Sequence, residues 1–181
     1  NTNNIVNISF IYNILDNTDK DKIICFYFGM VDLLFSSNYK YNTDNNFNLN
    51  NFTNEILEQY FYFLKDIKER YKFKKIIIFN LIKLNLTNNN LLSMFKERYK
   101  KKYESYNSNK VINKVDLDFM FNDFNNKLKI FCRKNNIYFL EINFNCTRFY
   151  KKFIYKSTMY TLNDYEVFIR WYKLLNILKM F

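Results

Sequence analysis

Three segments of the sequence place polar residues directly after, or at the end of, the chain's apolar runs. The first is Phe28 to Asp32, in which Gly29, the single glycine of the chain, follows the apolar run Ile23 to Phe28. The second is Glu141 to Asn143, and the third is the polar loop Lys156 to Asn163. In open α/β sheets, ligands bind beyond the carboxyl ends of the strands. We therefore expect a binding or catalytic site to be built from these segments.

Gly29 is the most informative of these residues because the sequence uses glycine nowhere else. Its retention indicates either a backbone conformation that other residues avoid or a close approach that a Cβ would block. The alternative is an ordinary turn glycine, with Asp32 capping the loop that follows. For Glu141 the alternative is a solvent-facing strand end, and for Lys156 to Asn163 it is an ordinary polar loop before a helix.

The sequence contains no histidine. Within this chain that excludes Ser-His-Asp and Cys-His triads, imidazole metal ligands and histidine pH switches. Cys25, Cys132 and Cys146 are odd in number and far apart, with no C-x-x-C pair. This favours a reducing intracellular compartment or organelle over a disulfide framework or a zinc site. We expect neither a metal nor a cofactor.

The composition is that of one globular domain, residues 1–181. Hydrophobic residues make up 49%, aromatic residues 21% and charged residues 25% of the chain, which excludes disorder as the main state. Alanine and proline are absent, and Asn, Lys, Ile, Phe and Tyr are in excess, as an AT-rich genome would impose. No apolar window is long enough for a membrane span, and no signal peptide is visible at the start.

The net charge of +11 and the pI of about 9.4 favour polyanionic partners. However, the basic residues are spread over several segments with acidic residues among them. The densest cluster is Lys100 to Lys102, which is typical of an exposed helix end as well as of a nucleic-acid patch. Nucleic-acid binding is therefore only weakly supported by the sequence.

Short apolar runs alternate with longer amphipathic stretches, which predicts a parallel sheet with helices between its strands. Strands are expected within Ile5 to Ile14, and at Ile23 to Phe28, Ile76 to Phe79 and Ile137 to Ile142. Asn38 to Asn51 is Asn-rich and is expected to be a surface loop that ends with Asn50 or Asn51 as a helix N-cap. Apolar residues at helical spacing predict helices over Phe52 to Tyr71, Asn88 to about Tyr103, Leu117 to Phe131 and Val167 to Leu178.

Together the three polar segments, Phe28 to Asp32, Glu141 to Asn143 and Lys156 to Asn163, in this order resemble blocks of the SGNH or GDSL hydrolase family. Phe28-Gly29-Met30-Val31-Asp32 is similar to the family's F-G-x-x-D block, which follows an inner strand. Asn125 or Asn126 with Leu128 is similar to the N-x-x-L helix, and Ile137 to Ile142 to the strand after it. Thr161-Leu162-Asn163 is similar to the H-L-N start of the last helix. The resemblance covers about residues 5 to 180 and implies a three-layer α/β/α fold with a parallel, flavodoxin-like sheet.

The departures from the family concern its catalytic residues. Thr158 stands where the family has its catalytic Asp, and Thr161 where it has the His that deprotonates the serine. Val31 occupies the position of an oxyanion-hole Asn in many members. The G-D-S block with the nucleophile is not in the chain, so the resemblance implies a degenerate member or one without its N-terminal nucleophile segment. A triad without its base loses nearly all of its advantage.

The leading interpretation is thus an SGNH-like domain of ester or acyl hydrolase ancestry that is catalytically incomplete, in effect a pseudoenzyme. The family would imply an acylated carbohydrate or lipid as ligand. The site remnant would comprise Gly29, Val31, Asp32, Thr158, Thr161 and Asn163, with Gly29 close to Thr161 at one edge of the sheet. Two other interpretations stay open: a basic structural subunit of a large assembly, such as an organellar ribosome or respiratory complex, and a flavodoxin-like domain that binds a small ligand.

Overall fold

The structure is a computed structural model that describes residues 2–81, 87–100 and 110–141. All of them belong to one compact unit, Asn1–Asn143. The elements follow in the order α1 (Thr2–Asp16), β1 (Ile23–Phe26), a π-helix (Asp32–Ser36), α2 (Ser37–Thr43), α3 (Leu49–Arg70), β2 (Lys75–Phe79), α4 (Asn88–Lys100), α5 (Lys114–Lys134) and β3 (Tyr138–Leu140). No helix in these ranges is both long and apolar enough to cross a membrane.

The three described strands form one parallel sheet in the order β1-β2-β3. Ile24 pairs with Ile76 between β1 and β2, and Ile78 pairs with Phe139 between β2 and β3. The predicted α/β fold with a parallel sheet is therefore confirmed. The three strands coincide with three of the apolar runs, because a strand buried in a parallel sheet needs apolar residues on both faces.

Helices α3 and α5 cover one face of this sheet. Phe26 of β1 packs edge-on against Phe63 of α3, with ring centroids 5.7 Å apart. Phe61 of α3 stacks on Phe131 of α5 at 4.1 Å. Successive strand residues point to opposite faces, so the Cys25–Ile77 pair points to the face of the sheet opposite α3 and α5. Ile77 is only 6% exposed, so β2 is shielded from water on both faces.

The predicted strand within Ile5 to Ile14 is wrong, because helix α1 occupies that segment. Its four Ile residues, with Val6 and Phe10, suit a strand by propensity, but packing against α3 decides the outcome. Tyr12 donates a hydrogen bond of 2.6 Å to Asp66 of α3, and Leu15 is buried.

The predicted surface loop Asn38 to Asn51 is also wrong over its first part, where the structure has helix α2. Asn38 is fully buried. Its amide donates to the Leu34 carbonyl at 2.8 Å, and its Oδ1 accepts from the Ile112 backbone N–H at 2.8 Å. Asparagine here satisfies buried backbone groups, so its abundance does not indicate a solvated loop. The N-cap of α3 is Asn48, two or three residues earlier than the expected Asn50 or Asn51.

The other predicted helices agree with the structure where it describes them. Phe52, Leu64 and Ile67 of α3 are buried, as is the C-cap residue Tyr71, as the apolar stripe predicts. Helix α5 buries Leu117, Met120, Phe121, Phe124, Leu128 and Phe131. It ends before Asn135 and Asn136, and Asn136 adopts a left-handed φ of 50°, a conformation that Asn tolerates at helix ends. The predicted helix Val167 to Leu178 lies outside the described residues.

Candidate functional site

The candidate site lies at the carboxyl ends of β1 and β2, the edge at which open α/β sheets bind ligands. Gly29 and Asp32 follow β1, Leu81 follows β2, and Tyr60 of α3 and Asn125 of α5 lie against them. We call these five residues the carboxyl-end cluster.

The structure shows both reasons for a glycine at position 29: a left-handed backbone and a close approach that a Cβ would block. Its φ of +96° lies in the left-handed region, which L side chains rarely adopt. A Cβ built on it would lie 3.0 Å from Cζ of Phe124 and 3.3 Å from Cδ1 of Leu81. The group that approaches Gly29 closely is thus the protein's own core, and the glycine lets α5 and the end of β2 pack against the end of β1.

Asp32 begins the π-helix that follows Gly29. The Gly29 carbonyl accepts a hydrogen bond of 2.8 Å from the Leu33 N–H, which ties the turn to this helix. Burial raises the pKa of the Asp32 carboxyl, and its own backbone N–H opposes that shift. Val31, beside it, is 56% exposed, so the cluster reaches the surface at this point. Short π-helical turns frequently occur at functional sites.

Tyr60 contributes a buried hydroxyl that finds no hydrogen-bond partner in the described part of the chain. Burial raises the pKa of this hydroxyl well above its ordinary value. The polar backbone of Phe28 opposes this shift. The Cys132 thiol and the Asp32 carboxyl act in the same direction as burial and raise the pKa. The Tyr60 ring packs between Phe28 and Phe124, with ring centroids 5.7 and 6.1 Å away. In the sequence, Tyr60 is one residue of the apolar stripe from Phe52 to Tyr71, and nothing in that stripe distinguishes its hydroxyl.

Asn125 holds the chain where it leaves β2. Its Oδ1 accepts from the Leu81 N–H at 2.8 Å, and its Nδ2 donates to the Leu81 carbonyl at 2.8 Å. One amide therefore satisfies both backbone groups of Leu81. Because Leu81 also contacts Gly29, this pairing fixes the shape of the carboxyl-end cluster.

Glu141 and the remaining predicted site residues do not extend this cluster. The Glu141 carboxylate pairs with Lys129 at 3.0 Å, and both side chains are about half exposed, which matches a solvent-facing strand end. Asn143, Thr158, Thr161 and Asn163 lie outside the described residues. The predicted proximity of Gly29 and Thr161 therefore stays a prediction.

The described residues offer no metal site and no activated thiol. They contain no group of three potential metal ligands. Cys25 and Cys132 are free, and burial raises the pKa of both thiols, that of Cys132 to about 12. A thiol held neutral is a poor nucleophile, so neither cysteine is prepared for covalent catalysis.

Replacing Asp32 with Asn should stabilise the protein at neutral pH. The folded-state pKa of Asp32 is raised above its ordinary value of 3.8, so ionisation of this carboxyl favours the unfolded state. Wild-type stability should fall as the pH rises from about 3.8 through the raised pKa. Asp32→Asn removes this pH-dependent loss of stability, because asparagine does not ionise. Urea unfolding should show a stability gain at pH 7 that disappears near pH 3; an equal gain at both pH values would contradict the assignment.

Comparison with protein-family models, curated proteins and solved structures gave no match. The resemblance to SGNH hydrolases therefore stays a prediction based on the motifs.

Proposed function

We propose that this chain is an SGNH-like α/β domain that binds an acyl ester at the carboxyl end of its sheet without hydrolysing it. The observation that carries the proposal is the position of Phe28 to Asp32, directly after β1. There the half-buried Asp32 begins the π-helix, and the ring of Tyr60, whose hydroxyl is buried, packs against Phe28 with ring centroids 5.7 Å apart.

The sheet topology is compatible with the proposed three-layer, flavodoxin-like architecture. The order of a flavodoxin-like sheet is 2-1-3-4-5, so its last three strands are neighbours in sequence order. The described strands have that sequential parallel order. Ile76 and Ile77 of β2 point to opposite faces and are both buried, as a sheet between two layers requires.

The chemistry of the carboxyl-end cluster suits binding rather than hydrolysis. An ester offers only hydrogen-bond acceptors, and the Tyr60 hydroxyl is a donor without a partner in the described residues. Val31 supplies exposed apolar surface for the acyl chain. Hydrolysis needs a base to activate a nucleophile, and the sequence has no histidine for that role.

Tyr60→Phe tests the role of the hydroxyl. Removing an unpaired buried hydroxyl should raise the free energy of unfolding by about 1 kcal/mol, measured by urea denaturation. The same change should weaken the binding of triacetin, a short-chain acyl ester, by about tenfold because the ligand loses one donor. NMR titration of the isotope-labelled protein measures that affinity.

Tyr62→Phe is the matched control, since Tyr62 lies on the same helix and is largely exposed. This control should change neither stability nor affinity. If Tyr60→Phe left triacetin affinity at the wild-type value, Tyr60 would have no role in binding. A small ligand other than an ester, bound at the same cluster with equal dependence on Tyr60, would support the flavodoxin-like alternative.

A second candidate function, a basic subunit of a large assembly, is favoured by the net charge of +11. The structure adds to it by gathering basic segments at the other edge of the sheet.

A further inference from the structure

The amino ends of the three described strands lie at the edge of the sheet opposite the carboxyl-end cluster, because the strands are parallel. Each strand is preceded there by a segment that carries lysine or arginine, and the segments before β2 and β3 are net basic. These segments are Asp16 to Lys22 before β1, Asp66 to Lys75 leading into β2, and Arg133 to Lys134 before β3. We call them together the amino-end edge. They hold nine basic and five acidic residues, so the edge is positively charged.

Direct contacts join the three segments into one surface. The Lys74 N–H donates a hydrogen bond of 2.8 Å to the Lys20 carbonyl. The Lys68 ammonium donates to the Asn135 carbonyl in the turn before β3. Lys75 Nζ lies 4.2 Å above the ring of Tyr138. Basic residues far apart in the sequence are therefore neighbours in the fold.

Two of the five acidic groups of the edge accept hydrogen bonds from side chains, and five of its exposed cations form no ion pair in the described residues. Asp66 accepts from Tyr12 and pairs with Arg70 at 3.2 Å, and Asp16 accepts from Tyr71. Asp19, Asp21 and Glu69 are the other acidic groups, all exposed. In the described parts of the chain, no ion pair is formed by five exposed cations: Lys22, Lys72, Lys74, Arg133 and Lys134.

Helix stability explains only part of this charge. Cations at helix C-termini interact favourably with the helix dipole, which accounts for Lys68 and Arg70 of α3 and for Arg133 and Lys134 of α5. Lys22, Lys72 and Lys74 lie outside the helices. Their exposed, unpaired ammonium groups carry no such structural role.

We propose that the amino-end edge binds the phosphate backbone of single-stranded nucleic acid. The unpaired cations provide contacts to phosphates. Tyr138 is 57% exposed beside them, and an exposed aromatic ring is a stacking platform for a base. A membrane surface is the less suitable partner, since insertion needs an apolar face and Ile23, 37% exposed, is the one exposed aliphatic residue in or next to the described segments of this edge.

Fluorescence anisotropy with a labelled oligouridine tests the proposal on the full chain. The wild type should bind, and the logarithm of its affinity should fall with the logarithm of salt concentration with a slope of about −3.5, for about five phosphates neutralised on a single strand. The double variant Lys72→Gln with Lys74→Gln should lose about tenfold in affinity and about 1.4 in slope. Tyr138→Leu should lose about fivefold or more through the lost stacking.

The matched control is Lys40→Gln with Lys96→Gln, which removes the same charge from α2 and α4. The control should bind oligouridine nearly as the wild type does. Equal losses in both double variants would assign binding to net charge and overturn the proposal. So would the absence of binding at low salt, or tighter binding to phosphatidylserine vesicles than to oligouridine. None of these results bears on triacetin binding at the opposite edge.

Discussion

Gly29→Ala is expected to lower the free energy of unfolding by about 3 kcal/mol, which combines backbone strain and overpacking. Alanine at a φ of +96° is strained whatever the space around it, and its Cβ would lie 3.0 Å from Cζ of Phe124. Phe124 is fully buried, so its ring cannot move aside without disturbing the core. Urea or thermal unfolding of the purified variant measures the loss.

The two causes separate in a Phe124→Leu background, where the ring atom that meets the new Cβ is absent. There Gly29→Ala should cost about 1 kcal/mol less, while the strain from the left-handed φ persists. A cost below about 0.5 kcal/mol in the wild-type background would contradict the structure at the end of β1.

Asn38→Leu is expected to cost about 3 kcal/mol, because it leaves two buried backbone groups without their partner. Leucine has the same branching and the same number of side-chain heavy atoms as asparagine but is larger, so the substitution leaves no cavity and adds some overpacking. The Ile112 N–H would lose its acceptor, and the Leu34 carbonyl would lose a donor. The midpoint of urea unfolding measures the loss.

Asn122→Leu, at an exposed position of α5, is the control and should change stability by less than about 0.5 kcal/mol. If both variants lost the same stability, Asn38 would not be the buried link between α2 and the start of α5.

The three described strands are predictable from the sequence because each is part of a short, continuous apolar run, and such a run is typical of a buried strand. Ile76 to Phe79 is too short for a helix and is buried on both faces of β2, which the run alone indicates. Helix α1 could not be predicted from its residues, since Ile and Phe favour strands. Its Tyr12 to Asp66 hydrogen bond spans 54 residues, and such tertiary contacts override local propensity.

The candidate site is predictable only where one residue type is rare. Gly29 is identified by its uniqueness in the sequence, and the structure supplies both physical reasons for it. Tyr60 is one of 16 tyrosines, and only the burial of its hydroxyl distinguishes it. The amino-end edge could not be predicted from the sequence for another reason. Its cations come from three separate segments that the parallel topology brings together.

The most direct test of the proposed function is one NMR experiment with triacetin and the isotope-labelled chain. Ester binding without hydrolysis at the carboxyl-end cluster predicts saturable shifts of the Gly29 and Asp32 amide signals, the two cluster residues next to the surface at Val31. It also predicts no growth of the free acetate methyl signal over the rate in buffer, because the chain has no histidine base. Acetate released in proportion to the protein, or triacetin that leaves the Gly29 and Asp32 signals unmoved, would contradict it.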